Sequence, residues 1–204
     1  MSDQKIFFMG VESEDEALSA VRRKDPSEAV CLEAVRRSGD TLQYIHNQTE
    51  AVCLVAVRQS PGSLKYVRAQ TEAICLEAVR HNPASLKYVR AQTELICFEA
   101  VRRDGLCLQY VHNQNEALCL EAVRQNGYAL QYVCNQTESI CLEAVRQNPN
   151  ALQLVHNQTE AICLEAVRQN PNALKYVRDR EMFERISQML DEDRENKSYA
   201  PRLR

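Results

Sequence analysis

The chain has no tryptophan, and glycine and proline are scarce, with 5 and 6 among 204 residues. Charge of one sign is also lacking, because 25 Lys and Arg against 28 Asp and Glu leave a net charge of −3. A mild net charge selects no class of partner by itself. The composition is that of an ordinary soluble protein, so any clue to function must come from the pattern of residues.

Long hydrophobic runs are absent as well. No stretch approaches the roughly 20 apolar residues that cross a bilayer, which predicts that the protein does not span a membrane. The first residues, MSDQKIFFMGVESEDE, contain only a short apolar patch and then turn acidic. They lack the basic and long apolar regions of a signal peptide. We therefore expect a cytoplasmic protein, in the producing cell or in a cell that receives it.

Nine cysteines are present, but their number is odd and their spacing is unlike a disulfide framework. The sequence also lacks the closely spaced Cys or His pairs of metal sites. It therefore predicts no metal and no cofactor. Seven of the cysteines lie 22 residues apart: Cys31, Cys53, Cys75, Cys97, Cys119, Cys141 and Cys163.

A 22-residue pattern recurs seven times, and its copies begin at Ser27, Thr49, Thr71, Thr93, Asn115, Thr137 and Thr159. Counted from these residues, position 2 is always Glu, 5 Cys, 8 Ala, 9 Val, 10 Arg and 16 Leu. Position 18 is Tyr in six copies, and position 22 is Gln in six. No single copy can bury its apolar faces, so adjacent copies must stack. The sequence predicts an all-α fold, a right-handed α-solenoid of 22-residue repeats, each with a long and a short helix.

Within a repeat, Ser, Thr or Asn at position 1 is a good N-cap, and Glu at position 2 suits the start of a helix. Positions 2–11 are predicted to form helix A, whose apolar arc is wide enough to contact neighbours on two sides. The residues at positions 12 and 13 break the helix. Positions 14–19 are predicted to form helix B, which is too short to be stable without packing.

Caps are expected at both ends of the stack. Residues 1–26 align with the helix A pattern through Ser13, Val21 and Arg22 and are predicted to be a truncated capping repeat. Residues 27–180 are the seven repeats. Residues 181–194 are predicted to form a capping helix with Met182, Phe183, Ile186, Met189 and Leu190 on its apolar face. Residues 195–204 are expected to be a polar tail.

The units resemble the bacterial helical repeats classed as domain-of-unknown-function family 4116. The resemblance covers residues 27–180 and is carried by LEAVRQNP, at residues 142–149 and 164–171, and by ALKYV at residues 173–177. It implies an α-helical repeat. Members occur in bacterial effectors and in some viruses, and the family brings no general activity and no catalytic residues.

Four residue types recur at fixed positions of the repeat, and three of these series have two interpretations. The Cys series is either a redox array or, as we favour, buried packing, because free Cys behaves as a small hydrophobe. The Tyr series either stacks nucleic-acid bases or packs between repeats. The Gln series either reads bases or satisfies the backbone where helix B ends. Arg at position 10 is expected to pair with Glu at position 7 of the same helix, so Val55 would leave Arg58 without a partner.

No catalytic constellation is evident. The four histidines lie 22 or more residues apart, and none has a Ser or Cys partner at a spacing typical of a nucleophile and its base. We expect a protein that is not an enzyme and has no small-molecule substrate. Cys134 replaces the His or Arg of other copies, so it is predicted to be exposed and to be the most reactive thiol.

Positions 14, 17, 20 and 21 vary among the copies, and on an α-helix they share one face. The predicted binding face carries these residues: His46, Lys65, Arg68, Lys87, Arg90, His112, His156, Lys175 and Arg178. Because Glu at position 7 lies on helix A, the opposite side is expected to be acidic. Solenoids bind extended ligands along one face, although the face could equally be an unselected surface.

Two partners fit this face. The first is a protein with an acidic patch, for which the chain would be a scaffold, effector or inhibitor. The second is nucleic acid, which usually needs a continuous Lys and Arg track and a pI above about 9. The pI is 5.9 and glutamines interrupt the basic stripe, which ranks protein first. The sequence leaves the oligomeric state open.

Overall fold

A computed structural model describes Ser19, Val21, Arg22 and residues 26–198, with side chains described as far as Glu192. Most of the predicted N-terminal cap, including Ser13, lies outside the described residues. Val21 is fully buried. All the regular structure described is helical, and it consists of one α-helix and one 3-10 helix in each repeat, followed by a final α-helix.

The α-helices are helix A of repeats 1 to 7: Glu28–Arg37, Glu50–Gln59, Glu72–His81, Glu94–Arg103, Glu116–Gln125, Glu138–Gln147 and Glu160–Gln169. The 3-10 helices are helix B of the same repeats: Gly39–Tyr44, Pro61–Tyr66, Pro83–Tyr88, Gly105–Tyr110, Gly127–Tyr132, Pro149–Leu154 and Pro171–Tyr176. The C-terminal helix is Arg180–Ser198. The regular pairing every 22 residues confirms the predicted all-α repeat solenoid class.

Helix A occupies positions 2–11 in every repeat, as predicted. Its start is fixed by the residue at position 1, whose side-chain oxygen accepts a hydrogen bond from the N–H of position 4. In repeat 3, for example, Thr71 Oγ1 lies 3.4 Å from the nitrogen of Ile74. The helix ends where the N–H of position 12 donates to the carbonyl of position 8, as Asn82 does to Ala78 at 2.9 Å.

Helix B differs from the prediction in type and in bounds. It is a 3-10 helix at positions 13–18 and not an α-helix at positions 14–19. Its bonds span three residues, as in the donation of Ser63 N–H to Ser60 and of Val67 N–H to Leu64. Six residues are too few for a stable α-helix but suit the tighter 3-10 form. Positions 20 and 21 therefore lie beyond the helix, and the single α-helical face predicted for positions 14, 17, 20 and 21 was wrong.

The described residues form two compact units. The N-terminal unit comprises the residues up to Arg103 together with Tyr110–His112, and the C-terminal unit comprises Asp104–Gln109 and the residues from Asn113 onward. Within each unit, each helix A contacts the next helix A and the neighbouring helix B. The stacking is thus repeat against repeat, which is the packing of a solenoid.

The core of each unit comes from the same positions in successive repeats. Positions 5, 8 and 9 of helix A are buried throughout, and so are positions 15 and 19 of each helix B segment. In repeat 3 these residues are Cys75, Ala78, Val79, Ser85 and Val89. The Ala at position 8 leaves little side-chain bulk between neighbouring helices, and the Leu at position 16 is fully buried in repeats 1 to 6.

The C-terminal helix runs past residue 194, where the capping helix was predicted to end, and continues to Ser198. Of its predicted apolar residues, Ile186 is fully buried, whereas Phe183 and Met189 are exposed. It packs against helix B of repeat 7, and Arg185 also pairs with Glu160 of helix A in that repeat at 3.3 Å. The C-terminal helix therefore contacts the last repeat, and its role as a cap stays a prediction.

Position 15 contains two hydroxyls that the fold does not satisfy. Ser63 and Ser85 are buried, and no described group bonds to either Oγ. Repeats 5 to 7 have Ala at this position, and those residues are fully buried too. An unpaired buried hydroxyl costs roughly 1–3 kcal/mol. Replacing it with a methyl group should therefore favour folding.

We predict that Ser63→Ala and Ser85→Ala each raise the free energy of unfolding by about 1 kcal/mol, measured by urea denaturation. Thr41 provides the matched control, because its Oγ1 at the same position donates to the carbonyl of Ser38 at 2.8 Å. Thr41→Val should lower stability. Equal effects of all three substitutions would contradict this account.

Candidate partner-binding surface

Each Gln at position 22 connects its own repeat to the next one. Gln70 Nε2 donates to the carbonyl of Leu64 in its own repeat at 3.1 Å and to that of Tyr88 in the next at 2.9 Å. Gln70 Oε1 accepts from the N–H of Arg90 at 2.9 Å. The two bonds to the next repeat recur at all six glutamines: Gln48, Gln70, Gln92, Gln114, Gln136 and Gln158. This confirms that the Gln series satisfies the backbone at the end of helix B.

The Cys series packs against this glutamine. Cys97 Sγ lies 3.6 Å from Gln92 Oε1, and the same contact forms at Cys75, Cys119, Cys141 and Cys163. Burial raises the pKa of these thiols, to about 11 for Cys141 and Cys163. All nine cysteines are free, and Cys134 alone is exposed. The predicted packing role of the series is therefore confirmed.

All nine residues of the predicted binding face are exposed. Six belong to the N-terminal unit: His46, Lys65, Arg68, Lys87, Arg90 and His112. The other three belong to the C-terminal unit: His156, Lys175 and Arg178. They lie at positions 17 and 20, on helix B and in the bend that follows it. The lysines and arginines of the two sets are called the N-terminal and C-terminal cation clusters below.

The arginines at position 20 are fixed by main-chain carbonyls of the preceding repeat. Arg68 Nη1 donates to the carbonyl of His46 at 2.8 Å, and Arg90 Nη1 donates to that of Arg68 at 2.9 Å. In the C-terminal unit, Arg178 Nη2 donates to Gln153 at 2.8 Å. A carbonyl orients the guanidinium but does not neutralise it. Among the described residues, no carboxylate forms an ion pair with these three arginines.

The lysines at position 17 lie over the tyrosine at position 18. The distance from Nζ to the ring centre is 4.6 Å for Lys65 over Tyr66, 4.9 Å for Lys87 over Tyr88 and 4.8 Å for Lys175 over Tyr176. A ring face attracts a cation without carrying a formal charge. A hydrogen bond with Tyr66 is the main cause that raises the pKa of Lys65. The tyrosines, which are half-buried, therefore orient the lysines.

Helix A presents a different surface from the acidic one expected. Its Glu side chains at position 7 that form ion pairs are 13–32% exposed, whereas the Arg side chains at position 10 that pair with them are 53–65% exposed. The carboxylates lie behind the arginines, so the expectation of an acidic side was wrong. This surface consists of paired charges with Arg outermost.

The pairing of these charges crosses between repeats. Arg58 pairs with Glu77 of the next repeat, so the prediction that Val55 leaves Arg58 without a partner was wrong. Arg80 reaches Glu99 at 3.7 Å in the same way. Pairs within a helix also occur, as for Arg102 with Glu99 at 3.2 Å. Hydrogen bonds from arginine lower the pKa of Glu77 and Glu99.

Two equivalent grooves lie between adjacent repeats of the N-terminal unit. One is lined by Arg68 and Glu50, and the other by Arg90 and Glu72. The glutamates are held by the next repeat, because Thr71 Oγ1 donates to Glu50 at 2.9 Å and Thr93 Oγ1 donates to Glu72 at 2.7 Å. Each groove is thus lined by one cationic and one anionic side chain.

Within the described residues, no three His, Cys, Asp or Glu side chains come together as a set of metal ligands. In the same part of the chain, every helix is too short or too polar to cross a bilayer.

The family comparison agrees with the repeat pattern. Residues 93–137, 115–160 and 137–182 match the family described as Domain of unknown function (DUF4116), in three overlapping matches at 22-residue steps. The predicted resemblance to this family is confirmed over residues 93–182. The chain matches no curated protein and no solved structure.

We expect Gln70→Leu to destabilise the fold, because it leaves the carbonyl of Tyr88 and the N–H of Arg90 without their partner. The expected loss is about 1–3 kcal/mol in the free energy of unfolding, measured by urea denaturation. Gln59→Leu is the matched control, since Gln59 is exposed at the end of helix A. A loss for Gln70→Leu no larger than for Gln59→Leu would refute the role of this glutamine.

The cysteines should differ sharply in reactivity. We expect one thiol, Cys134, to react quickly with iodoacetamide in the folded protein. Mass mapping of the labelled peptides identifies the cysteine that has reacted. The other eight are buried, and burial raises the pKa of Cys107 to about 12, which suppresses the reactive thiolate. Cys134→Ser should abolish the fast label, and fast labelling of any second cysteine would be contrary to this structure.

Proposed function

We propose that the protein is a non-enzymatic binding module that docks a protein partner through the cations at positions 17 and 20. The observation that carries the proposal is how these cations are held. Arg68, Arg90 and Arg178 are oriented by carbonyls, and the three lysines by tyrosine rings. Their charge is therefore left for a partner, whereas helix A arginines already pair with carboxylates.

Preorganised cations are effective binding groups because little side-chain freedom remains to be lost on association. An arginine with one N–H bonded to a carbonyl still has several donors for a carboxylate. The N-terminal cation cluster is the larger of the two. These properties support a partner that presents an acidic surface.

The grooves favour protein over nucleic acid. Glu50 and Glu72 line the same grooves as Arg68 and Arg90, so a uniformly charged phosphate backbone would meet carboxylates there. A protein can place its carboxylates against the arginines and uncharged groups against the glutamates. The pI of 5.9 also differs from the strongly basic character usual for nucleic-acid-binding domains.

We propose that the protein acts as an effector or inhibitor in the cytoplasm, either of the cell that produces it or of a recipient cell. Its support is the set of nine free cysteines, eight of them buried. Reducing compartments keep thiols in this state, and secreted small domains normally pair them.

The test is capture of a partner with the wild-type chain, followed by two variants with the same change of net charge. The first variant removes part of the N-terminal cation cluster and combines Lys65→Gln, Arg68→Gln and Lys87→Gln. The second variant removes cations of helix A and combines Arg36→Gln, Arg58→Gln and Arg80→Gln. We expect the first variant to lose the partner, with affinity falling at least about tenfold, and the second to retain it.

Both variants are first compared with the wild type by thermal denaturation, so that loss of folding is separated from loss of binding. Retention of every captured partner by the first variant would refute the proposed surface. A gel shift with DNA and RNA at low salt tests the alternative, because phosphate contacts weaken steeply with salt. A salt-sensitive complex that depends on Lys65 and Arg68 would replace the protein partner with nucleic acid.

A further inference from the structure

The N-terminal unit repeats one binding geometry along its surface. The guanidinium of Arg68 bonds to the carbonyl of residue 46, and that of Arg90 makes the same bond to the carbonyl of residue 68. The grooves beside them are lined by equivalent residues of consecutive repeats. Two like cations are therefore displaced from each other by one repeat. A ligand that binds both arginines must present two anionic groups of the same kind at the same interval.

The interval can be compared with the periods of a peptide chain. Packed helices of adjacent repeats lie about 8–10 Å apart. A polyproline II segment has three residues per turn and rises about 3.1 Å per residue, so side chains three apart share a face at about 9.3 Å. In a β-strand, side chains on one face are about 6.6 Å or about 13 Å apart. In an α-helix, residues seven apart lie on the same face, about 10.5 Å apart along the axis.

The polyproline II period is the one that falls inside the interval between repeats. We propose that the N-terminal unit binds an extended segment of an acidic protein, in polyproline II conformation, with a carboxylate at every third residue. Arg68 and Arg90 receive successive carboxylates, and Lys65 and Lys87 precede them by three residues in the chain. This inference rests on the proposed function and specifies the partner that the same surface takes.

The glutamates that line the grooves suit the same ligand. A polyproline II backbone makes no internal hydrogen bonds, so its N–H groups are free to bond elsewhere. Glu50 and Glu72 each have carboxylate oxygens that can accept such N–H groups, and Thr71 and Thr93 hold the two carboxylates in place. The segment therefore places acidic side chains at the arginines and backbone donors at the glutamates.

The test uses the full chain and fluorescent twelve-residue peptides, with dissociation constants measured by anisotropy at fixed salt. One peptide has the Glu-Ala-Pro triplet four times. The second has the same composition, with its glutamates alternately two and four residues apart. We expect the triplet peptide to bind about tenfold more tightly, since it adds a second charge-assisted contact at the interval of the repeats. Arg68→Gln with Arg90→Gln should abolish that preference.

The control variant is Arg58→Gln with Arg80→Gln, which changes the net charge equally and should keep the preference. Equal dissociation constants for the two peptides would refute the inference, as would failure of the triplet peptide to bind. Tighter binding of a helical peptide with Glu at every seventh residue would refute it in favour of a helix. In each of these cases the proposed function is decided separately, by whether a captured protein depends on Lys65, Arg68 and Lys87.

Discussion

The hydrogen bonds made by the glutamine at position 22 are the interaction on which the rest of the structure depends. Helix B is a 3-10 helix that ends at position 18, and a helix end leaves backbone groups without internal partners. The carboxamide of the preceding repeat accepts from the N–H of position 20 and donates to the carbonyl of position 18. Each repeat is thus completed by its neighbour. Where no further repeat follows, at position 22 of repeat 7, the residue is Arg180.

The same bonds explain how one position can be both fixed and variable. The glutamine binds the main chain of residue 20 and leaves its side chain free, so Arg90, His112 and Cys134 all satisfy it through the same N–H. A stack built on main-chain bonds can change the residue at position 20 without loss of the repeat. The proposed surface follows from this separation, because its chemistry varies while its backbone does not.

Much of this fold was predictable from the sequence because its signals are local. The cap at position 1, the Glu at position 2 and the break at position 12 set the bounds of helix A, and the exposure of Cys134 followed from its replacement of His or Arg. Contacts between repeats were not predictable in the same way. Arg58 pairs with Glu77, 19 residues away, which no spacing within one helix indicates. Because of that pairing, the acidic side expected on helix A does not form.

The type of helix B was the other feature that the sequence did not settle. The break at positions 12 and 13 indicates a second helix but not its type, because the 3-10 form depends on packing against helix A and on the glutamine that binds its end. The predicted cations were placed correctly at the surface, but their orientation depends on carbonyls and rings. Arg68 needs the carbonyl of residue 46, which becomes a neighbour only when the repeats stack.

Hydrogen exchange of the backbone amides tests the central role of the glutamine most directly. Position 20 lies in an exposed bend outside any helix, so its N–H would exchange rapidly without the carboxamide. The account predicts that the amides of Arg68, Arg90 and His156 exchange at least about 100-fold more slowly than those of Ala69 and Ala91 at position 21. Their exchange rates should approach those of the helix A amides in the same unit. Exchange at position 20 as fast as at position 21 would contradict it.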